Sequence, residues 1–542
     1  MRSPTGCLVT VIPDLLSERT QSNDKGDPMN RSASDPRSRA SGKEWAGLAV
    51  LVLPALLISM DLSVLYLAVP ELTAALRPTG TQLLWITDIY GFMLAGLLIT
   101  MGAVGDRVGR RRLLMIGVAA FGVASLVAAY SSSAEMLIVA RALLGVAGAT
   151  LGPSALALIS NMFRDGRQRA VAIAVWATGL SVGGALGPVV GGALLEWFWW
   201  GSVFLLAVPV MVVLLASARI LLPEHRSTGA YRPDLISVTL SMVAVLAVVY
   251  GLKQAAHGDS AWSVVVPVIV GLAAGVVFGR RQRALAEPML DLALFRASGV
   301  SVSLAVNVVA FLAVLGLGLF VAQYLQLVLG MSPLVAGFAT VPMFAGFIGG
   351  AMISPVLIHR VRPEVVMCGG LVVGSAGAAM LAMIGPESGP VLVVAGSVVL
   401  AAGLGPVLPI VPNVVLRSAP PERAGVASGL VETSTEFGGA LGIAILGVLG
   451  GAFYHRGMAG SVAESVPPRT ASAARDTLGG ATDAAAQLPA DLAAPLLEAA
   501  RSAFVGGMNL AASACAVLLL AMTIVAYGTL RGVRTKDRGR AR

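Results

Sequence analysis

The sequence is poor in charge, histidine and cysteine. Asp, Glu, Lys and Arg make up 12% of its 542 residues, roughly half their share in soluble globular proteins. Its three cysteines and four histidines are dispersed, without the spacing of a disulfide framework or a metal site. No nucleotide-binding loop and no pore-filter motif is present. These absences argue against a soluble globular protein, an enzyme and a channel, and we predict no metal and no cofactor.

Long apolar runs fill the chain instead, since 56% of the residues are hydrophobic. Runs of about 17–25 such residues have the length of a transmembrane helix. The charge-free stretch 297–358 is too long for one crossing and is divided at GMSP (330–333). We predict an all-α polytopic membrane protein with 14 transmembrane helices. The predicted spans are 46–69, 84–104, 113–132, 136–159, 170–194, 200–221, 235–252, 262–279, 301–325, 334–357, 365–384, 391–415, 425–449 and 505–529.

The distribution of basic residues predicts the orientation. If the N-terminus is inside, the cytoplasmic segments carry 31 Lys and Arg and the external segments carry six, with Arg141 inside a span. Short cytoplasmic loops are enriched in Lys and Arg in this way. Both termini are therefore predicted to be cytoplasmic, and topology rather than nucleic-acid binding explains the net charge of +9.

We expect five regions. They are a disordered N-tail (1–44), a six-helix half (45–222), an inserted two-helix linker (223–296), a second six-helix half (297–530) and a basic C-tail (531–542). The second half contains a long external loop, 455–500, with an amphipathic helix predicted over 491–504. The Ala- and Pro-rich composition of this loop favours a linker over a cap on the external mouth.

Two acids stand where a membrane span carries almost no charge. Glu432 and Glu436 are the only ionisable residues between Ala424 and Tyr454 apart from that tyrosine. At ~1.5 Å per residue they lie about 13 and 20 Å from the preceding Arg423, near the middle of a bilayer core of about 30 Å. Charged groups at that depth are energetically costly and mark functional sites. Neighbouring carboxylates also titrate as a coupled pair, so we predict a proton site.

Three more candidate residues, two acids and an arginine, lie within spans. Asp61 stands among apolar residues in the first span, and Asp88 lies near the external end of the second, where water can reach it. Arg141 lies in the fourth span. A buried arginine needs an acidic partner or water, and the alternative is that Arg141 extends to the external surface.

The loop after the second span, GAVGDRVGRRR (102–112), combines small residues with a charged cluster. This pattern resembles the signature of the major facilitator superfamily. The resemblance implies a gating role in alternating access for Gly102, Asp106, Arg107, Gly109 and Arg110. The corresponding segment of the second half, 353–363, lacks the aspartate. The charged gating cluster is therefore expected in the first half only.

The fifth span reads GLSVGGALGPVVGG (179–192), with glycines every four residues. Small residues at this spacing let helices approach closely, and Pro188 introduces a kink. The pattern also resembles the antiporter-helix motif of exporters in the superfamily, which it shares through Gly183, Gly187, Pro188 and Gly191.

With fourteen spans, a D-x-S-V first helix and E-T-S-x-E in the thirteenth, residues 46–530 resemble the drug:proton antiporter-2 branch, and within it the QacA- and SmvA-type exporters of quaternary ammonium compounds. The resemblance implies a major facilitator fold with 6 + 2 + 6 helices. It also implies that Asp61, Asp88, Glu432, Glu436 and Arg141 serve proton coupling and recognition of cationic drugs. Val431 stands where some of these exporters carry an extra acid. Some also carry an acid in the tenth helix, whereas the tenth span of this chain has none. We therefore expect a preference for monovalent cations.

The predicted function is proton-coupled multidrug efflux by a monomer in the bacterial plasma membrane. The partners are lipophilic cations, protons and the lipid bilayer, and the proton gradient drives transport without a cofactor. Export of an endogenous metabolite or antibiotic is the alternative, because its motifs would be the same. Cation–π contacts favour aromatic residues near the site, although each aromatic side chain also has packing or lipid contact as an alternative role. The candidates are Tyr66, Trp176, Phe311, Phe320, Tyr324 and Phe437.

Overall fold

A computed structural model describes residues 40–224, 234–256, 261–285, 298–418, 424–459 and 468–540. Every regular element within these ranges is helical. The predicted N-tail lies outside them up to residue 39, as do the last two residues of the C-tail.

The first half contains the helices that the apolar runs predict. Its first two helices begin at capping boxes, in which Ser41 pairs with Glu44 and Thr79 with Gln82. The predicted sixth span is interrupted at Leu206. The helices are α1 (Gly42–Leu76), α2 (Gly80–Val108), α3 (Arg110–Ala129), α4 (Ala134–Met162), α5 (Gly166–Trp197), α6 (Ser202–Leu205) and α7 (Ala207–Leu221).

Two helices, α8 (Leu235–Ala256) and α9 (Ala261–Ala284), follow as the predicted inserted pair. They pack closely because glycines on each helix face valines on the other. A Cβ on Gly251 would lie 2.7 Å from Val268, and one on Gly271 would lie 2.6 Å from Val248. Small residues thus allow these two backbones to approach.

The second half confirms the division at GMSP. A π-helical turn, Tyr324–Val328, is followed by Gly330 with a φ of 68°, a left-handed conformation that glycine adopts without strain. Ser332 then caps the next helix, which has Pro333 in its first turn. The helices are α10 (Ser298–Gln323), α11 (Pro333–Arg360), α12 (Pro363–Leu381), α13 (Pro390–Leu404), α14 (Val407–Ser418), α15 (Ala424–Met458), α16 (Pro468–Asp476), α17 (Leu478–Ala485) and α18 (Ala490–Arg540).

Thirteen helical segments of the described chain are long and apolar enough to cross a membrane. The predicted seventh span coincides with a shorter apolar helix, Leu235–Gly251. The polytopic all-α prediction is confirmed, while the exact count of fourteen and the cytoplasmic position of the termini stay predictions.

The expectation of a linker between the last two spans is wrong where the structure describes this segment. Residues 468–485 form α16 and α17, and the apolar side of α17 is buried. The Tyr454 hydroxyl donates a 2.8 Å hydrogen bond to the Ala474 carbonyl, and a Cβ on Gly479 would lie 2.9 Å from Thr73 of α1. Alanine-rich helices can pack closely although their side chains are small. This segment is therefore a layer of helices packed against α1. The helix predicted over 491–504 is present as the beginning of α18.

The two six-helix halves meet along α2–α15, α5–α11 and α1–α10. At the first contact, a Cβ on Gly91 would lie 3.1 Å from Ala440. At the second, a Cβ on Gly337 would overlap the carbonyl oxygen of Pro188. Glycines therefore bring the backbones of the two halves together.

The inserted pair covers one of these contacts. Helix α8 packs against both α2 and α15, with Met242 directly over Gly96 of α2. Val249 of α8 joins Phe92 of α2 and Ala444 of α15 in a separate apolar cluster. The insertion thus lies against the helices that carry Asp88 and Glu436.

An ion pair fixes the beginning of α8 to the end of α9. Arg281 donates hydrogen bonds of 2.8 and 3.0 Å to the two carboxylate oxygens of Asp234, which also accepts one of 2.6 Å from Ser237. The hydrogen bonds from Arg281 lower the pKa of Asp234 from 3.8 to about 2. The pair is ionised in the folded protein at neutral pH.

We expect Asp234→Asn to lower the free energy of unfolding by about 1–2 kcal/mol at pH 7, typical of a hydrogen-bonded ion pair near a surface. Because the folded-state pKa is depressed, the contribution is complete above pH 4 and declines as the pH falls towards 2. Thermal unfolding in detergent at pH 7, 4 and 2.5 measures it. Glu387→Gln, in an exposed loop, is the control, and a difference as large at pH 2.5 as at pH 7 would contradict the assignment.

Candidate functional site

Arg141 and Asp61 form an ion pair between α4 and α1. Arg141 is 0% exposed, so it does not extend to the surface, and the prediction of an acidic partner is confirmed. Its Nε donates a 3.2 Å hydrogen bond to the Ile86 carbonyl of α2. The guanidinium carbon also lies 4.7 Å from the ring centroid of Tyr90, within cation–π range. One side chain thereby joins three helices of the first half.

Glu432 and Glu436 project from α15 towards the first half. A Cβ on Gly152 of α4 would lie 3.0 Å from Oε1 of Glu432, so the absence of a side chain there leaves room for the carboxylate. Glu436 lines a cavity of about 10 Å³ together with Thr87 and Asp88 of α2, close to the space that one water needs. The two glutamates are also near enough to interact electrostatically.

The acid that shares this cavity with Glu436 is Asp88. Its position near the external end of the second span indicated that water can reach it. Instead Asp88 is 0% exposed, while Asp61 is held by Arg141. That expectation was wrong because sequence distance from the membrane surface does not show which helix covers a residue.

Two tyrosines connect these groups into one cluster. Tyr66 of α1 interacts electrostatically with Arg141, Glu436 and Asp88. Tyr90 of α2 does so with Asp61, Glu436 and Arg141. The predicted acids and the arginine thus converge where the two halves meet.

The signature loop forms the turn between α2 and α3. Gly109 has a φ of 111° and separates the two helices, a conformation that other residues rarely adopt. Gly102 faces Pro153 of α4, since a Cβ there would lie 3.8 Å away. A Cβ on Gly105 would lie 3.0 Å from Nη1 of Arg110. The small residues therefore give room to α4 and to the charged cluster.

The charged side chains of this loop separate into different environments. Arg107 is exposed, and the side chain of Asp106 lies outside the described structure. Arg111 donates a 3.0 Å hydrogen bond to the Leu222 carbonyl. Arg111 and Arg112 approach Glu224 at 3.6 and 3.7 Å. Glu224 was missed because it lies 112 positions after Arg112 in the chain, beyond the end of α7. The gating role of the motif stays a prediction.

The glycine face of α5 packs on α1 in register. Cβ atoms on Gly179 and Gly191 would contact Val52 and Val64, and one on Gly187 would contact Met60. Each four-residue step along α5 therefore matches a four-residue step along α1. Pro188 itself faces Gly337 of α11. The predicted helix–helix packing is confirmed, and it fixes the helix that carries Asp61.

We expect Gly183→Ala to destabilise the protein by about 1–3 kcal/mol, because its Cβ would overlap the carbonyl oxygen of Leu56 and a packed helix backbone cannot yield easily. The intrinsic preference of helices for Ala over Gly acts in the opposite direction, because by itself it would stabilise the variant. Gly369→Ala, with nothing within 4 Å of its Cβ, isolates that preference and is expected to be neutral or stabilising. Thermal unfolding compares the two, and equal effects would contradict the packing.

The aromatic candidates divide. Tyr66 belongs to the cluster of Asp88, Arg141 and Glu436. Phe311 lines a second cavity, in the second half, together with Phe347. Trp176 is buried in α5, and the structure does not place it at either cavity. Phe320 packs against Phe504 of α18, with ring centroids 5.8 Å apart. Tyr324 donates hydrogen bonds of 2.9 and 2.8 Å to the Gly385 and Ser388 carbonyls, and Phe437 packs with the α8 cluster. These last three have structural contacts in place of the expected cavity positions.

Asn307 of α10 is a polar residue that a search for charges misses. It is 2% exposed, and its Nδ2 donates 2.8 Å hydrogen bonds to the hydroxyls of Ser434 and Thr435. Both acceptors lie between Glu432 and Glu436 on α15. A search for buried amides inside spans would have found it.

Comparison with known proteins places this arrangement in a family. Residues 51–443 match the family model described as the Major Facilitator Superfamily. The chain is 41% identical to the multidrug efflux pump LfrA of Mycolicibacterium smegmatis, covering 90% of this chain and 96% of that protein. It is 33% identical to the methyl viologen resistance protein SmvA of Salmonella typhimurium, covering 89% and 97%.

A solved structure shares the fold. A bacterial homolog of the human lysosomal transporter Spinster, in an inward-facing and unoccupied conformation, matches with a TM-score of 0.60 and 18% identity, covering 91% of this chain and 99% of that one. At this identity the likeness concerns the fold alone.

Proposed function

Because the chain belongs to the Major Facilitator Superfamily, we propose that it exports lipophilic cations across the bacterial plasma membrane in exchange for protons. It is a multi-pass membrane transporter, and LfrA and SmvA are named as an efflux pump and a resistance protein. The observation that carries the proposal is the shared cavity of Asp88 and Glu436 at the contact of the two halves. No metal or redox group enters the proposed cycle.

The chemistry follows from the position of the carboxyls. An apolar environment favours the neutral form of a carboxyl group, and a nearby cation favours the ionised form. A lipophilic cation that approaches Asp88, Glu432 and Glu436 therefore displaces a proton. When the cation leaves, protonation restores the neutral state. Cation and proton thus bind in alternation, which is the requirement of antiport.

The halves must also separate for a drug to enter. The cavity at Glu436 has about 10 Å³, room for a water rather than a dye. In such transporters access alternates by rocking of the two halves around a site near the midplane. Glu436 on α15 and Asp88 on α2 lie on opposite sides of this boundary, so protonation changes the charge repulsion between the halves.

The test is efflux by the full-length protein in everted membrane vesicles with an imposed pH gradient. Ethidium serves as a monovalent probe and methyl viologen as a divalent one, since SmvA is named for the latter. We expect ethidium uptake that depends on the gradient and releases protons, with weaker transport of methyl viologen. Transport that an uncoupler leaves unchanged would exclude proton antiport, and preference for methyl viologen would exclude the monovalent selectivity.

A further inference from the structure

Helices α10 and α15 of the second half run parallel with their backbones in contact. A Cβ on Gly438 would overlap the carbonyl oxygen of Val308, and one on Gly442 would overlap that of Leu312. The contact therefore repeats every four residues along both helices. Because glycines form no ridges on this side of α15, packing alone specifies the register of the two helices only weakly.

One polar contact lies at the beginning of this glycine contact. The Asn307 side chain is 2% exposed, and its Nδ2 donates hydrogen bonds of 2.8 Å to the hydroxyls of both Ser434 and Thr435. The same hydroxyls donate hydrogen bonds of 2.6 and 3.2 Å to the Val431 carbonyl of their own helix. Since each hydroxyl has a single hydrogen, it can only accept from α10. A primary amide supplies the two N–H groups that this arrangement needs without bringing a charge into the span.

The polar contact lies behind the turn of α15 that carries the two glutamates. Consecutive residues of a helix point about 100° apart, so Ser434 lies on the side of α15 opposite to Glu432 and Glu436. A slip of one residue between α10 and α15 would turn both glutamates by about 100°. Glu436 would then leave the cavity that it shares with Asp88. The register of α15 on α10 therefore decides whether the carboxyls face the first half.

A buried amide is well suited to fix such a register. In coiled coils, one buried asparagine selects a single register among those that apolar contacts permit. Hydroxyls that bond back to a carbonyl three or four residues earlier also make a helix easy to bend. Asn307 thus holds α15 at a point where its direction is otherwise poorly fixed.

We propose that Asn307 is a positioning residue for proton exchange, which fixes the register of α15 on α10 so that Glu432 and Glu436 face the first half. It acts through the hydroxyls of Ser434 and Thr435 rather than on the cation or the proton itself. The inference rests on the proposed function and adds to it a residue outside the carboxyl cluster.

Asn307→Leu tests the proposal, because it removes the amide and keeps an apolar side chain of similar size. Ethidium transport and proton release are measured together in proteoliposomes of the full-length protein. We expect exchange about tenfold slower and at least about twofold fewer protons released per ethidium, since small displacements of a reacting group have effects of this size or larger. The ratio of protons to ethidium does not depend on the amount of folded protein, so a loss of stability alone leaves it unchanged.

Asn509→Leu is the matched control. The Asn509 amide of α18 donates a 2.9 Å hydrogen bond to the Ile384 carbonyl, and Asn509 lines neither cavity. The control is expected to lower the unfolding temperature, as Asn307→Leu does, and to keep the wild-type ratio of protons to ethidium. An equal fall of this ratio in both variants would overturn the proposal and leave Asn307 as a packing residue.

A second variant, Ser434→Ala with Thr435→Val, removes the partners of the amide and covers the case in which Asn307→Leu fails to fold. If Asn307 acts through these hydroxyls, this variant shows the same lower ratio, and adding Asn307→Leu to it causes no further loss. Losses that multiply in the combined variant would exclude the register role.

The wild-type protein separates failure of this inference from failure of the proposed function. Ethidium transport without proton release by the wild type would overturn proton antiport, and the role of Asn307 with it. A wild type that releases protons, together with an unchanged ratio in Asn307→Leu, would overturn the role of Asn307 alone.

Discussion

Glu436→Gln is expected to abolish proton-coupled cation exchange, with a loss of at least about 100-fold, comparable to the contribution of a positioned proton-transfer group. Gln has the size of Glu and can donate and accept hydrogen bonds, but it cannot release a proton. The substitution should therefore preserve the cavity with Thr87 and Asp88 and remove its chemistry. Cation exchange down a concentration gradient, which needs no proton, should persist.

Proteoliposomes with a pH-sensitive dye inside measure this effect. Addition of a lipophilic cation should release protons from the wild-type protein and not from Glu436→Gln. Glu498→Gln is the matched control, because Glu498 is exposed on α18, outside both cavities. Glu432→Gln is expected to lower exchange less completely, since Glu432 lies against Gly152 rather than opposite Asp88. Normal proton release by Glu436→Gln would refute the proton site.

Much of the fold follows from one physical requirement, that backbone polar groups inside a bilayer be satisfied within their own segment. Apolar runs of sufficient length therefore had to be helices, and the division at residues 330–333 was predictable from GMSP. The break at Leu206 was not. The break between α13 and α14 was not predicted either, although it falls on Gly405 and Pro406, a pair that interrupts helices.

The same distinction applies to the site. Burial of Arg141 demanded an acid, but the choice of Asp61 depends on how α1 crosses α4, which no spacing reveals. The insertion α8 packs against α2 and α15 and engages Phe437, so an aromatic predicted for the drug pocket packs elsewhere. Asn307 was not predicted because a single uncharged amide does not interrupt an apolar run. A buried amide nevertheless needs hydrogen-bond partners, as a buried charged group does.

Arg141→Gln is expected to lower the free energy of unfolding by about 3–5 kcal/mol, the range for breaking a buried ion pair by removing one partner. The guanidinium is 0% exposed and simultaneously contacts Asp61, the Ile86 carbonyl and the ring of Tyr90. Its loss leaves the Asp61 carboxylate, 13% exposed, with its charge uncompensated. Arg141→Lys should also be defective, because a compact ammonium does not reproduce the planar guanidinium at three partners.

A double-mutant cycle with Asp61→Asn separates the pair from its surroundings. Asp61→Asn alone leaves the guanidinium buried without its counter-charge, so it should destabilise as well. The double variant removes both charges and is expected to recover part of the stability in thermal unfolding, while cation exchange stays absent if Asp61 takes part in proton transfer. Additive losses would show that the two side chains act independently. Restored transport in the double variant would limit the pair to a structural role and leave proton coupling to Asp88, Glu432 and Glu436.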